Sequence, residues 1–265
     1  MDDFLGILSV YYCPVGLRVY NRSPGRTKRS PILGGQISKL VQYSKLMTTQ
    51  QLSLYHIIKE PSIKKEKAPV LIMLHGYGSD ENDLFSFAGE LPEELLIISV
   101  RAPYSLPPYG NAWYAINFDG NAGKFSDNVQ AQESRDKIAH FIDEVIANYP
   151  VDPENINLLG FSQGTILAYA VALNHPEKVK NVIALSGYIN EELLEKDYAK
   201  NDFSNLSIYA SHGSQDQVIP VTWGRKSPIL LKELGINHAY SEFPVGHGVA
   251  PQNFMELKKW LEQKI

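Results

Sequence analysis

The sequence predicts an α/β protein in which a mostly parallel central sheet carries helices on both faces. From Gln50 onward short apolar runs alternate with amphipathic stretches, the mark of a strand-helix-strand series. The runs are apolar at almost every position, as strands buried on both faces must be. The 265 residues also contain one cysteine, Cys13. Hydrophobic burial must therefore hold the fold, with no internal disulfide and no cysteine-based zinc site.

The strand candidates follow in order. Gln50–Lys59 is the first believable strand pattern, then come Val70–Leu74, Leu95–Val100, Ile156–Leu159, Val179–Leu185, Ile208–Ala210 and Ala239–Phe243. Between them, Val129–Tyr149 places Ile138, Phe141, Ile142 and Val145 at helical spacing and ends at Pro150. Ser162–Asn174, Thr222–Leu234 and Pro251–Lys264 read as helices too, with Pro228 setting the start of the second near Ser227. The stretch Ala102–Asn128, rich in Pro, Gly, Asn and Tyr, fits no long element and reads as a functional loop.

The formal net charge of -4 argues against a nucleic-acid surface, so no nucleic-acid partner is expected. No apolar stretch approaches the roughly 18 to 20 residues that cross a bilayer, so no stable membrane insertion is expected. The charge is uneven. Residues 1–46 carry seven basic side chains against Asp2 and Asp3, whereas the remainder is acidic. Phe4–Tyr12 is apolar but follows those aspartates, where a secretory signal would place basic residues. Residues 1–46 are expected to be a basic extension outside the core, disordered or upstream sequence from a misassigned start, and residues 47–265 the α/β domain. The unpaired cysteine fits a reducing compartment, and a cytoplasmic location is expected.

Leu158-Leu159-Gly160-Phe161-Ser162-Gln163-Gly164 is a buried strand, a G-x-S-x-G turn and the start of an apolar helix. The short motif alone is common. In this context it places a serine in a strained turn, with small residues that let strand and helix pass closely. A serine is a weak nucleophile near neutral pH, so it needs a base, and the base needs an orienting acid. His247, in Val245-Gly246-His247-Gly248, lies between the last strand and last helix. Sites of open α/β sheets collect at such strand ends. His212, in Ser211-His212-Gly213, is the competitor, but it precedes the candidate acid rather than following it. That acid is Asp216, the one carboxylate of Gly213–Pro220 after the strand Ile208–Ala210. The alternative is that Asp216 merely bonds its own turn.

Acyl transfer also develops an oxyanion, which positioned backbone N–H groups stabilise. His75-Gly76-Tyr77-Gly78 turns out of the strand Val70–Leu74, and the N–H groups of Tyr77 and Gln163 are the expected donors. A dinucleotide fingerprint is disfavoured, because Glu81 stands where a third glycine belongs. Too few positions separate Ser162 from Asp216 for a separate lid domain.

These motifs, in this order from Val70 to Ile265, resemble the phospholipase/carboxylesterase family of α/β-hydrolases, which includes acyl-protein thioesterases and small carboxylesterases. Arg101-Ala102-Pro103 and Trp113-Tyr114 are similar to that family's next loop. The resemblance implies a triad of Ser162, His247 and Asp216 that hydrolyses carboxylic or thiol esters of small molecules with no cofactor and no metal. A homodimer stays open, and a serine peptidase, a lactone hydrolase or a non-catalytic binding protein on the same scaffold are the alternatives. Tyr77, Trp113 and Tyr114 are the expected substrate contacts. The alternative for the loop aromatics is that they pack the loop onto the body. Two features depart from the family: residues 1–46 have no counterpart, and Gly76-Tyr77-Gly78-Ser79-Asp80 replaces the Gly-Leu-Gly-Asp common in the thioesterase branch.

Overall fold

A computed structural model describes residues 52–119 and 123–265. The expectation for residues 1–46 lies outside the described residues. In chain order the elements are β1 (His56–Lys59), β2 (Ala68–Leu74), α1 (Asn82–Phe85), β3 (Leu96–Val100), β4 (Tyr104–Ser105), β5 (Asn111–Ala112), β6 (Ile116–Asp119) and β7 (Gly123–Ser126). There follow α2 (Asn128–Asn148), β8 (Val151–Phe161), α3 (Gln163–Asn174), β9 (Asn181–Leu185), β10 (Ser207–Gly213), α4 (Val221–Gly224), α5 (Lys226–Glu233), β11 (Asn237–Phe243) and α6 (Pro251–Glu262).

Seven strands form the central sheet in the order β1-β3-β2-β8-β9-β10-β11. Only β1 is antiparallel to its neighbour, and the other pairs are parallel. Successive side chains of a strand point to opposite faces. Val70, Ile72 and Leu74 of β2 accordingly join one core, which α2, α3 and Leu231 of α5 cover. Leu71 and Met73 join the other, closed by Leu84 of α1 and by Leu257 and Leu261 of α6. Helices thus cover both faces, and no separate lid domain is present among the described residues. A buried aliphatic side chain contributes about 1.5–3 kcal/mol, so these two layers supply the main stabilisation.

Helix α3 is buried along its whole length, which explains why its sequence is apolar all round rather than amphipathic. Helix α2 starts on a cap, the Asp127 carboxylate accepting the N–H of Gln130 at 3.0 Å.

Three expectations need correction. Among the described residues the first strand spans His56–Lys59, and Ser53 upstream gives its N–H to the Glu144 carboxylate at 3.0 Å. Thr222–Leu234 is two short helices meeting at Arg225, with Pro228 in the first turn of α5, where a missing N–H costs no helical bond. The stretch 102–128 holds no long element, as expected, but it is not wholly irregular: among the described residues β4 pairs with β5 and β6 with β7 antiparallel, in strands too short to show a period.

Candidate active site

The parallel strands deliver four loops to one end of the sheet, at the carboxyl ends of β2, β8, β10 and β11. Ser162 stands between β8 and α3 with φ 54 and ψ -116, a conformation an L-residue adopts only under constraint. The glycines around it are required by packing. A Cβ on Gly164 would lie 2.0 Å from the Leu74 carbonyl oxygen, and one on Gly160 would lie 2.6 Å from the Gly164 oxygen. The Ser162 N–H donates to the Leu185 carbonyl at 2.9 Å, and Thr165 reinforces the same spot by bonding Leu185 through both its donor and its acceptor.

His247 and Asp216 converge on this serine. His247 Nε2 lies 2.9 Å from Ser162 Oγ, and its Nδ1 lies 2.7 Å from Asp216 Oδ2. The other carboxylate oxygen, Oδ1, accepts the N–H groups of Val218 and Ile219 at 2.8 and 2.9 Å. Asp216 therefore bonds its own turn and the histidine together. Its side chain is fully buried. Burial opposes its charge, but hydrogen bonds from His212 and His247 and the Ile219 N–H outweigh it and hold the carboxyl well below the usual carboxylate range. The acid loop and histidine loop are tied at the backbone: Ser214 N–H donates to Phe243 O at 2.8 Å and Gln215 N–H to Val245 O at 3.0 Å. Phe161 tilts against the His247 ring with centroids 5.0 Å apart.

The loop after β2 is held by His75, which is buried. Its Nδ1–H donates to Gly76 O at 2.7 Å and its Nε2 accepts the Ala102 N–H at 3.0 Å, a pattern that only the neutral ring satisfies. Burial pushes its pKa below the ordinary histidine value, against the Gly76 carbonyl. Gly78 N–H donates to Asn111 O at 2.9 Å. Among the described residues the Gly78 N–H is thereby spent, whereas the N–H groups of Tyr77 and Gln163 meet no acceptor.

Of the expected substrate contacts, Tyr77 is 39% exposed. Trp113 and Tyr114 are buried, at 0% and 2% exposure. Trp113 gives its indole N–H to His75 O at 2.9 Å, so its ring packs the loop. Two features escape the sequence: the bonds of the Gln163 side chain and the place of His212 beside Asp216. No set of three or more side chains able to hold a metal occurs among the described residues, and none of their helices is long and apolar enough to cross a membrane.

A strained serine turn at the end of a parallel strand, with a histidine and a buried carboxylate in line, defines an α/β-hydrolase. The profile of the Phospholipase/Carboxylesterase family matches residues 56–265, and the chain belongs to that family of hydrolases. It is 29% identical over 229 residues to acyl-protein thioesterase 1 of Emericella nidulans, an alignment covering 77% of this chain and 93% of that one. The Candida albicans protein of the same name is 26% identical over 226 residues, covering 78% and 97%. Among solved structures, esterase PE8 superposes with TM-score 0.69 at 23% identity, covering 81% of this chain and 100% of that one. The Bacillus cereus carboxylesterase does so with TM-score 0.68 at 20% identity, covering 85% and 99%.

Proposed function

We propose that this hydrolase is a serine esterase acting on carboxylic and thiol esters through an acyl-enzyme on Ser162. The observation that carries the reading is the unbroken line from Ser162 Oγ through His247 to Asp216, at 2.9 and 2.7 Å. Ser162 Oγ attacks the ester carbonyl while His247 Nε2 takes its proton. The negative charge moves onto the carbonyl oxygen, where the N–H groups of Tyr77 and Gln163 receive it, each such donor being worth about 3 kcal/mol. Collapse expels the alcohol or thiol, protonated by His247. Water then repeats the sequence against the acyl-serine, and the acid product leaves. Asp216 holds the proton of the neutral ring on Nδ1, so that Nε2 faces the serine as an acceptor.

The loops that carry the site expose apolar side chains. Tyr77, Val218 and Trp223 are exposed at 39%, 51% and 46%, and they stand on the loop of the oxyanion donor, on the acid loop and on the helix after it. Such a rim suits an acyl chain better than a charged substrate. The relatives named acyl-protein thioesterase support extending the reading to thioesters. The single cysteine suits work in a reducing, cytoplasmic compartment.

The test is Ser162→Ala. It is expected to abolish hydrolysis of short p-nitrophenyl esters and labelling by a fluorophosphonate probe; labelling retained in the variant refutes the reading.

A further inference from the structure

Asp216 faces a second histidine that the proposed reaction does not use. His212 lies at the end of β10, and both side chains are buried, at 1% and 0% exposure. Its Nε2 is 2.9 Å from the Ile219 carbonyl oxygen and 3.3 Å from Asp216 Oδ2. A carbonyl oxygen can only accept, so the Nε2 of His212 carries a proton and shares it between the two oxygens. The opposite nitrogen, Nδ1, is buried and bonds no group among the described residues. It is capped by Gly224, where a Cβ would lie 2.5 Å from it. The ring is thus wedged between Gly224 and the Ile219 carbonyl, with its one bonded N–H aimed at the oxygen that also receives His247 Nδ1–H.

A packing role alone does not account for this arrangement. An apolar ring of similar shape would fill the space without burying an unpaired nitrogen. We propose that His212 is a positioning residue for the Ser162 reaction, whose Nε2–H shares Asp216 Oδ2 with His247 and limits how much of the carboxylate's charge reaches the His247 ring. The inference rests on the esterase reading. The other charged groups facing His212 come from β11 and the α4–α5 junction. Glu242 is its register partner on β11, and Arg225 holds Glu242 through two hydrogen bonds of 2.7 Å. The Tyr240 hydroxyl also donates to Glu242, at 3.0 Å. Glu242 is therefore neutralised locally, and the negative charge that the two rings share is that of Asp216.

The sign follows. Without the His212 donor, more of the Asp216 charge acts on His247, its cation is favoured, and the base is lost at a higher pH. His212→Phe keeps the ring and removes the donor, whereas His212→Gln keeps an N–H near the Nε2 position. Both are measured as kcat/KM against pH on a p-nitrophenyl ester, with sites counted by fluorophosphonate labelling. In His212→Phe the acid limb is expected to move about half a unit to one unit higher. His212→Gln restores the limb. Should His212→Phe fail to fold, Gly224→Ala displaces the ring instead, and its limb is expected to move in the same direction. An unmoved limb overturns the inference and leaves the esterase reading intact. A wild-type protein that neither labels nor hydrolyses esters overturns that reading, and this inference with it.

Discussion

The side chain of Gln163 clamps the backbone of Trp113: Oε1 accepts the Trp113 N–H at 2.8 Å, while Nε2 donates to the next carbonyl, Tyr114 O, also at 2.8 Å. The residue after the serine thus fastens the hairpin-bearing segment to the serine turn through two buried bonds. Trp113 passes the constraint on through its indole to His75 O, next to the Gly76–Gly78 loop.

Gln163→Ala would strand a buried N–H and a buried C=O. Each unsatisfied group costs about 1–3 kcal/mol, so a loss of roughly 2–6 kcal/mol is expected, read as a lower urea midpoint. Because the N–H of residue 163 is also a proposed oxyanion donor, kcat should fall further than the remaining folded fraction explains. Full activity per labelled site would show that the clamp does not position that donor.

The glycines of the site should separate into two kinds. Gly164→Ala places a methyl against backbone, at 2.0 Å from Leu74 O and 2.8 Å from His75 O, and nothing there can turn aside. Gly76→Ala meets the edge of the Phe161 ring at 3.1 Å, and a side chain can give. Thermal unfolding should show Gly164→Ala destabilised by several kcal/mol or unfolded, and Gly76→Ala by about 1 kcal/mol or less. Equal costs would contradict the packing argument.

Glu81 and Arg101 carry a pH signature. The Arg101 guanidinium bonds both oxygens of the buried Glu81 carboxylate and also lies 4.2 Å over the Tyr55 ring. That bond holds the Glu81 pKa below its ordinary value of 4.5, against burial, which pushes it up. A depressed carboxyl stabilises the fold above its unfolded pKa, and the contribution is lost as pH falls through the folded value. Wild-type Tm should therefore drop below about pH 4.5. Glu81→Gln should be less stable by about 1–2 kcal/mol at pH 7, less than for a fully buried pair because Arg101 is 39% exposed, and should lose less on acidification.

Much of this architecture was legible because its parallel strands are buried on both faces, and continuous runs such as Val70–Leu74 announce themselves. The serine turn was legible for a related reason: glycines at 160 and 164 are demanded by contacts shorter than any Cβ allows. What escaped was set by partners distant in the chain. Nothing in the segment of Trp113 and Tyr114 tells that His75 O awaits an indole or that Gln163 grips the backbone. The hairpins of β4–β7 have strands of two to four residues, shorter than any period can register. His212 was weighed only as a rival base. Its place beside Asp216 follows from the turn that carries the chain back after β10.

Asp216→Asn tests the orientation of His247 with little change in shape. Oδ1 of Asp216 accepts two backbone N–H groups, from Val218 and Ile219, so the carbonyl oxygen of an asparagine must occupy that position. Its NH2 then takes the place of Oδ2 and points a donor at His247 Nδ1. The ring must answer with an acceptor there, which moves its proton to Nε2, the nitrogen 2.9 Å from Ser162 Oγ. A protonated Nε2 cannot accept the serine proton. The turn bonds survive, but the NH2 also faces the His212 N–H that Oδ2 accepted, so a loss of about 1–3 kcal/mol of stability is expected, while kcat at pH 7 should fall on the order of 10⁴-fold. Fluorophosphonate labelling should slow in parallel, since it draws on the same base. A variant that keeps a tenth of the wild-type rate would mean that the Asp216 contact does not set the tautomer of His247.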